Sequence, residues 1–168
     1  MIPFAHSAEH ATGVDISPSM LDEARRNCAD MGVGNVSLVH ADELANLTPA
    51  FDLVHSAIVL QHVPAREGQR IIGRLASLLR PGGAGFLHLQ IGGDRRLKLF
   101  NAAMKLPLGH NLVNVVRGRR WSYPQMQMNV YDLSRVMLVL RRAGVTRADV
   151  TVAERDGVYD ACTLIFRR

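Results

Sequence analysis

The sequence contains little cysteine and has no long apolar run. Only two cysteines, Cys28 and Cys162, occur in 168 residues. Two are too few for a disulfide scaffold or a cysteine-based zinc site, so we expect reduced, buried thiols and predict no metal site. No apolar run approaches the roughly 20 residues of a membrane-spanning helix, and the N-terminus has no apolar signal core. These absences predict a cytoplasmic protein without a transmembrane segment.

Basic residues exceed acidic ones, and one segment supplies the excess. The chain has 20 Lys and Arg against 15 Asp and Glu, a formal charge of +5. Seven basic residues and one acid lie within 94–120. Such a block is either a solvated face or a binding surface. The length and the 48% hydrophobic content predict one globular domain over residues 1–168.

Short apolar strands alternate with helical patterns along most of the chain. Strands are predicted at 11–16, 36–40, 51–56 and 84–91, and most of them end in polar residues. Ser17 and Pro18 are typical of a helix N-cap and first helical position, and Gly32 of a helix end. Further helices are predicted at 66–79 and around Leu133–Leu140, and an antiparallel hairpin at 149–155 and 159–166.

This alternation predicts an α/β fold, a doubly wound and mostly parallel sheet with a C-terminal antiparallel hairpin. Ligands of such sheets bind beyond the carboxyl ends of the strands. Candidate site residues are therefore sought at the polar strand ends: Asp15, Asp42, His55 with Ser56, and Gln90. Because His55 lies within a strand, we interpret it as a core histidine.

Three motifs resemble the class I S-adenosylmethionine-dependent methyltransferases, in the order in which that family has them. They are GVDISPSML at 13–21, FDLV at 51–54 leading to LQHVP at 60–64, and LRPGG at 79–83 before a strand. The resemblance covers nearly the whole chain and includes the closing hairpin. It implies a Rossmann-like fold, S-adenosyl-L-methionine as cofactor and methyl transfer as the reaction.

The resemblance also implies which residues bind the cofactor. Asp15 would accept hydrogen bonds from both ribose hydroxyls, as the acid does in dinucleotide-binding folds. Ile16 would lie against the adenine, and Asp42, with Glu43 beside it, matches the acid that accepts from the adenine amino group. The segment after the third predicted strand, Ser56 and Ala57, matches the part of the family that lines the cofactor.

His62 is the candidate general base, since it lies near the expected acceptor site and histidine titrates near neutral pH. The competing interpretation is a packing residue at the start of a helix. Methyl transfer from a sulfonium is an in-line displacement, so positioning and exclusion of water can supply much of the rate without a base.

The basic segment, about 94–128, follows the strand after which the resembled family commonly carries insertions over the acceptor site. Three interpretations compete: a surface helix and loop, a lid over an acidic or apolar small molecule, and docking to lipid or RNA. We favour the lid, and no specific nucleic-acid-binding module is predicted. Its candidate residues are Arg117, Arg119, Arg120, Trp121 and Tyr123.

The resembled family begins with a strand, a glycine-rich loop and a helix, a unit of about 30 residues. We expect this first unit to be missing, with an N-terminally shortened methyltransferase-like domain as the consequence. The absent strand lies centrally in the family's sheet, so two strand edges would be unpaired. The sheet could close up, or self-association or a partner chain could complete it.

The predicted function is methyl transfer from S-adenosylmethionine to an unidentified small-molecule acceptor. One alternative is a non-catalytic remnant or subunit that has lost the glycine-rich loop. A nicotinamide-dependent oxidoreductase could also use an acid at Asp15, but the helix stop at 79–83 and the closing hairpin fit the methyltransferase order better.

Overall fold

The computed structural model describes residues 1–93, 128–155 and 159–168. The chain divides into two compact units, Met1–Thr48 and Pro49–Arg168. Most of the predicted insertion at about 94–128 lies outside the described residues. The single domain over 1–168 and its insertion therefore stay predictions.

The first unit is a strand–helix–strand arrangement. Its elements are α1 (Ile2–Ala5), β1 (Ala11–Asp15), α2 (Pro18–Asp30), β2 (Val36–His40) and a 3-10 helix (Ala41–Asn46). β1 and β2 are parallel, and their register runs from Ala11 opposite Val36 to Asp15 opposite His40. The last residues of the two strands therefore lie side by side at one edge of the sheet.

Helix α2 begins and ends as the sequence predicts. The Ser17 side chain accepts a hydrogen bond from the Met20 amide at 3.4 Å, and Pro18 is the first helical residue. After the helix, Gly32 adopts φ +66°, a left-handed conformation that glycine enters without steric penalty. The turn between β1 and α2 is thus set by local sequence.

In its described residues, the second unit is a four-stranded mixed sheet with two α-helices and a short 3-10 turn. Its elements are β3 (Phe51–Ser56), a 3-10 turn (Leu60–His62), α3 (Ala65–Leu78), β4 (Leu79–Gly93), α4 (Leu133–Arg142), β5 (Arg147–Arg155) and β6 (Tyr159–Arg167). The strand order is β3-β4-β6-β5. β3 and β4 are parallel, whereas β6 is antiparallel to both β4 and β5.

The core of this unit lies between the sheet and helices α3 and α4. Leu87 of β4 is fully buried, as are Ile72 of α3 and Val136 of α4. Phe166 of β6 packs over Gly85, where an added Cβ would overlap the phenyl ring. The apolar faces predicted from helical spacing are therefore the faces that build the core.

Two local predictions are wrong. The predicted helix end is confirmed, since α3 ends at Leu78, but β4 begins at Leu79 and not at the predicted residue 84. Pairing of Leu79 with Phe51 extends the strand, and pairing becomes regular from Leu53 opposite Ala84. His55 is exposed and stacks on Phe86, with ring centroids 4.8 Å apart. It is not a core histidine, because β3 turns it toward the sheet face opposite the buried Val54.

The predicted Rossmann-like α/β fold, with parallel strands and a closing antiparallel hairpin, is confirmed. Both cysteines are buried and unbridged, as expected. Within the described ranges, no helix is long and apolar enough to cross a membrane. The missing first strand–helix unit stays a prediction.

Candidate functional site

Asp15 ends strand β1 with an exposed carboxylate. Its Oδ1 accepts a hydrogen bond from the Ser17 amide at 2.8 Å, a local bond typical of an aspartate at a turn. A carboxylate has about four lone-pair positions, so this bond leaves acceptor capacity at Oδ2. The turn therefore holds the carboxylate in place and still presents an acceptor to a ligand.

His40 ends strand β2 opposite Asp15 and connects two turns. Its Nε2 lies 2.9 Å from the carbonyl oxygen of Ile16. Its Nδ1 lies 3.4 Å from the Asp42 amide nitrogen and 3.3 Å from Asp42 Oδ2. The imidazole therefore contacts the turn after β1 with one nitrogen and the turn after β2 with the other.

The other predicted cofactor residues of the first unit lie in these same two turns. The Ile16 side chain is 75% exposed, a large apolar surface next to Asp15. Asp42 and Glu43 begin the 3-10 helix after β2, where both carboxylates face solvent. The structure thus brings Asp15, Ile16 and Asp42 together at one edge of the β1–β2 sheet. We call this cluster, with His40, the strand-end cluster.

In the second unit, Ser56 and Ala57 lead out of β3 into a strained turn. Ile58 has φ +62°, the one non-glycine residue with positive φ in the described part of the chain. A β-branched residue in this region is an outlier, and such strain tends to occur at binding and catalytic sites. The position of the strain, directly after Ser56 and Ala57, agrees with a functional role for this turn.

His62 lies in the 3-10 turn Leu60–His62, and one of its ring nitrogens is hydrogen-bonded to the neighbouring Gln61. Gln61 Nε2 lies 3.2 Å from His62 Nε2. Because an amide NH₂ group can only donate, His62 Nε2 is the acceptor in this bond. Proton abstraction at that nitrogen would require the bond to break, and base action by His62 stays a prediction.

Tyr131 and Asn129 hold this turn from a distant part of the chain. Tyr131 Oη lies 2.7 Å from the Leu60 carbonyl oxygen and 3.0 Å from that of Val63. The Asn129 amide donates to the Gln61 carbonyl at 2.7 Å. Burial raises the pKa of the Tyr131 hydroxyl to about 12, so it keeps its donor proton at physiological pH.

Sequence reasoning missed His40, Tyr131 and Asn129. His40 could have been found, because it is the last residue of the predicted strand that follows the strand ending at Asp15. The sequence carries no signal for the contacts of Tyr131, since they join residues 71 and 68 positions apart. The predicted lid residues Arg117, Arg119, Arg120, Trp121 and Tyr123 lie outside the described residues.

The strand-end cluster offers hydrogen-bond acceptors and an exposed apolar surface. Carboxylates at the ends of parallel strands are suited to hydroxyl and amino donors of a ligand. An exposed isoleucine beside them can cover the face of a flat ring. A ligand with hydroxyl or amino donors beside a flat ring would match this combination.

Known proteins with related sequences are methyltransferases. A family model described as a methyltransferase domain matches residues 1–83. Aklanonic acid methyltransferase DauC from Streptomyces sp. strain C5 is 36% identical over 73 residues, covering 42% of this chain and 32% of that protein. Magnesium-protoporphyrin O-methyltransferase from Synechocystis sp. is 35% identical over 78 residues, covering 46% and 34%. The matches thus span about a third of the length of these curated relatives.

Two solved structures with the same fold are named as methyltransferases. Magnesium protoporphyrin IX methyltransferase from Synechocystis, with bound S-adenosylhomocysteine, superposes with a TM-score of 0.65 at 22% identity over 99% of this chain and 68% of that one. An O-methyltransferase family protein from Burkholderia thailandensis gives 0.58 at 23% identity over 95% and 43%. Residues 1–83 thus match a methyltransferase domain, and the chain shares the fold of these solved methyltransferases.

Proposed function

We propose that this protein binds S-adenosyl-L-methionine through the strand-end cluster and transfers its methyl group to a small-molecule acceptor. The observation that carries the proposal is the convergence of Asp15, Ile16 and Asp42 at the carboxyl ends of two parallel strands paired in register. The match of residues 1–83 to a methyltransferase domain and the S-adenosylhomocysteine bound to a structural neighbour support the choice of ligand.

The cluster fits the adenosine part of the cofactor. Asp15 Oδ2 is the acceptor for the ribose hydroxyls, while the Ser17 amide holds Oδ1. Ile16 covers one face of the adenine, and Asp42 accepts from its amino group. When bound, the cofactor supplies a methyl group on a sulfonium, which an acceptor takes by in-line displacement. The residues of the cluster contribute by holding the donor in a fixed orientation.

Isothermal titration calorimetry with S-adenosylmethionine and S-adenosylhomocysteine tests the cofactor site. Hydrogen bonds to a charged group contribute about 1.5–3 kcal/mol, so Asp15→Ala should weaken binding about 10- to 100-fold. Asp30→Ala is the matched control, because Asp30 is an exposed aspartate of the same unit at the far end of α2. Equal affinity of Asp15→Ala and the wild type, or no binding by folded protein, would contradict the proposal.

A small molecule is the proposed acceptor because the names of both curated relatives specify one, aklanonic acid and magnesium-protoporphyrin. Release of S-adenosylhomocysteine in the presence of carboxylic acids and phenols tests this, with Asp15→Ala as the control with weakened cofactor binding. A folded protein that binds the cofactor but transfers no methyl group to any such acceptor would instead support the non-catalytic alternative.

We also propose functional roles for two turns of the second unit. One turn carries the candidate cofactor-binding residues Ser56 and Ala57, and the other carries His62. The strain at Ile58 supports a functional role for Ser56 and Ala57. Tyr131 and Asn129 connect to the His62 turn through hydrogen bonds to backbone carbonyls in and next to it. We propose that these bonds fix the position of the turn, and that the turn acts through this positioning and not through proton transfer by His62.

A further inference from the structure

His40 is the residue through which the two turns of the strand-end cluster contact each other by a side chain. The carbonyl oxygen of Ile16 accepts at Nε2, and the Asp42 amide donates at Nδ1. We propose that His40 is a positioning residue for adenosine, which sets the relative placement of Ile16 and Asp42 without contacting the reacting atoms. This inference rests on the proposed function, because it concerns the same cofactor site.

The two contacts assign a hydrogen-bonding role to each nitrogen of the imidazole. A carbonyl oxygen can only accept, so Nε2 must carry a hydrogen. A backbone N–H can only donate, so Nδ1 must present its lone pair to the Asp42 amide. These two contacts assign a donor role to Nε2 and an acceptor role to Nδ1, so both nitrogens are used within the protein.

The Asp42 carboxylate also lies near this ring. Its Oδ2 is 3.3 Å from Nδ1 and would attract a proton there if the ring were charged. The Asp42 side chain is 89% exposed, so water screens the attraction and makes an ion pair with this histidine worth little. We therefore assign Nδ1 the acceptor role toward the Asp42 amide, 3.4 Å away.

Each contact acts on a residue that the proposed function assigns to adenosine. The bond to the Ile16 carbonyl orients the peptide unit that follows Ile16, directly before Ser17. The bond to the Asp42 amide orients the first turn of the 3-10 helix, which carries the Asp42 carboxylate. Strand pairing ends at Asp15 and His40, so beyond this point the side chain of His40 continues the connection between the two strands.

Burial supports a positioning role. The His40 side chain is 30% exposed, much less than that of Asp42. Asp42 is therefore available to a ligand, and most of the histidine is enclosed by the turns it connects. A ring with both nitrogens committed has no hydrogen-bonding atom to offer adenosine.

The test compares His40→Ala with two variants that each keep one of the contacts. Asparagine can keep an acceptor near the Nδ1 position, and glutamine can keep a donor near Nε2. Loss of one or two neutral hydrogen bonds predicts adenosine and S-adenosylhomocysteine affinities about five- to tenfold weaker in His40→Ala. His40→Asn or His40→Gln should restore part of this loss, which a role limited to packing would not require.

His10→Ala is the matched control. His10 Nε2 lies 2.9 Å from Ser37 Oγ, so this histidine joins the same two chain segments near the opposite ends of the strands. His10→Ala should change the thermal midpoint about as much as His40→Ala does, but it should leave the affinity for S-adenosylhomocysteine unchanged. Nitrogen-15 NMR of the wild type should show a neutral His40 ring protonated at Nε2.

The outcomes separate the two proposals. If Asp15→Ala weakens binding and His40→Ala does not, or if His10→Ala weakens it equally, the role of His40 is overturned and the cofactor site stands. If the wild type binds neither ligand, the proposed function fails and the role of His40 fails with it. An NMR spectrum with a proton on Nδ1 would also overturn the assignment of the two contacts.

Discussion

The hydroxyl of Tyr131 lies 2.7 Å from the carbonyl oxygen of Leu60, 71 residues earlier in the chain. Tyr131 is 1% exposed, and Leu60 is buried to the same extent. The Val63 carbonyl also lies within reach of the hydroxyl, at 3.0 Å. One buried phenol therefore connects the segment before α4 to the turn that carries His62.

Replacing this phenol tests how much the hydrogen bond contributes to stability. Tyr131→Phe should lower the free energy of unfolding by about 1–2 kcal/mol, because the Leu60 carbonyl loses a donor in a buried site. Thr146→Val is the control, since the exposed Thr146 hydroxyl donates to the Arg167 carbonyl at 3.4 Å and should change stability by less than about 0.5 kcal/mol. Urea denaturation measures the free energy of unfolding of both variants. Equal losses would show that the buried Tyr131 hydrogen bond contributes no more to stability than the exposed one of Thr146.

The raised pKa of Tyr131, about 12 against an ordinary 10.0, predicts loss of stability in alkali. The unfolded chain releases the phenol proton near pH 10 while the folded chain retains it, so the stabilisation is complete below pH 10 and is lost as pH rises toward 12. Over that window the free energy of unfolding should fall by up to about 1.4 kcal/mol per pH unit from this residue.

Chemical denaturation of wild type and Tyr131→Phe at each pH isolates this effect. Burial also raises the pKa of the Cys162 thiol, and that contribution is common to both proteins. The difference in stability between them should therefore shrink above pH 10. A difference that stays constant up to pH 12 would show that the phenol titrates alike in the folded and unfolded chains.

Gly68 of α3 is required by the position of Tyr131. A Cβ on Gly68 would overlap Tyr131 Oη, so Gly68→Ala should destabilise the protein by about 1–3 kcal/mol despite the higher helix propensity of alanine. A Cβ on Gly34 would meet nothing within 4 Å, and Gly34→Ala should cost less than about 0.5 kcal/mol. Thermal denaturation measures both. In a Tyr131→Ala background, Gly68→Ala should no longer destabilise.

Ile58 and Val59 are adjacent exposed residues with different backbone conformations. Ile58 has φ +62° and Val59 has φ −96°. Glycine relieves strain only where φ is positive, so Ile58→Gly should leave the free energy of unfolding unchanged or raise it by about 1 kcal/mol. Val59→Gly should lower it by about 0.5–1 kcal/mol. Thermal denaturation of the two variants measures this difference. A larger loss of stability for Ile58→Gly than for Val59→Gly would show that the turn is unstrained.

Much of the first unit follows from local sequence. Ser17 and Pro18 start α2, Gly32 follows its end, and β2 occupies the predicted residues, since caps and turns depend on near neighbours. Asp15 was found by the same logic, because a polar residue after an apolar strand marks the carboxyl edge of a parallel sheet.

The other features depended on residues far apart in sequence. His55 was interpreted as core, yet strand alternation places it on the face opposite the buried Val54. The extension of β4 back to Leu79 needs Phe51 as a partner.

The side-chain contacts of His40 and Tyr131 likewise separate what local sequence predicts from what depends on the folded chain. Sequence could place Asp15 and Asp42 at strand ends, whereas only the folded chain put the His40 ring between Ile16 and Asp42. It likewise put the Tyr131 hydroxyl against Leu60. The reason is physical: periodicity and capping are properties of neighbouring residues, but a side-chain hydrogen bond across 24 or 71 residues exists only once the backbone has brought its two ends together.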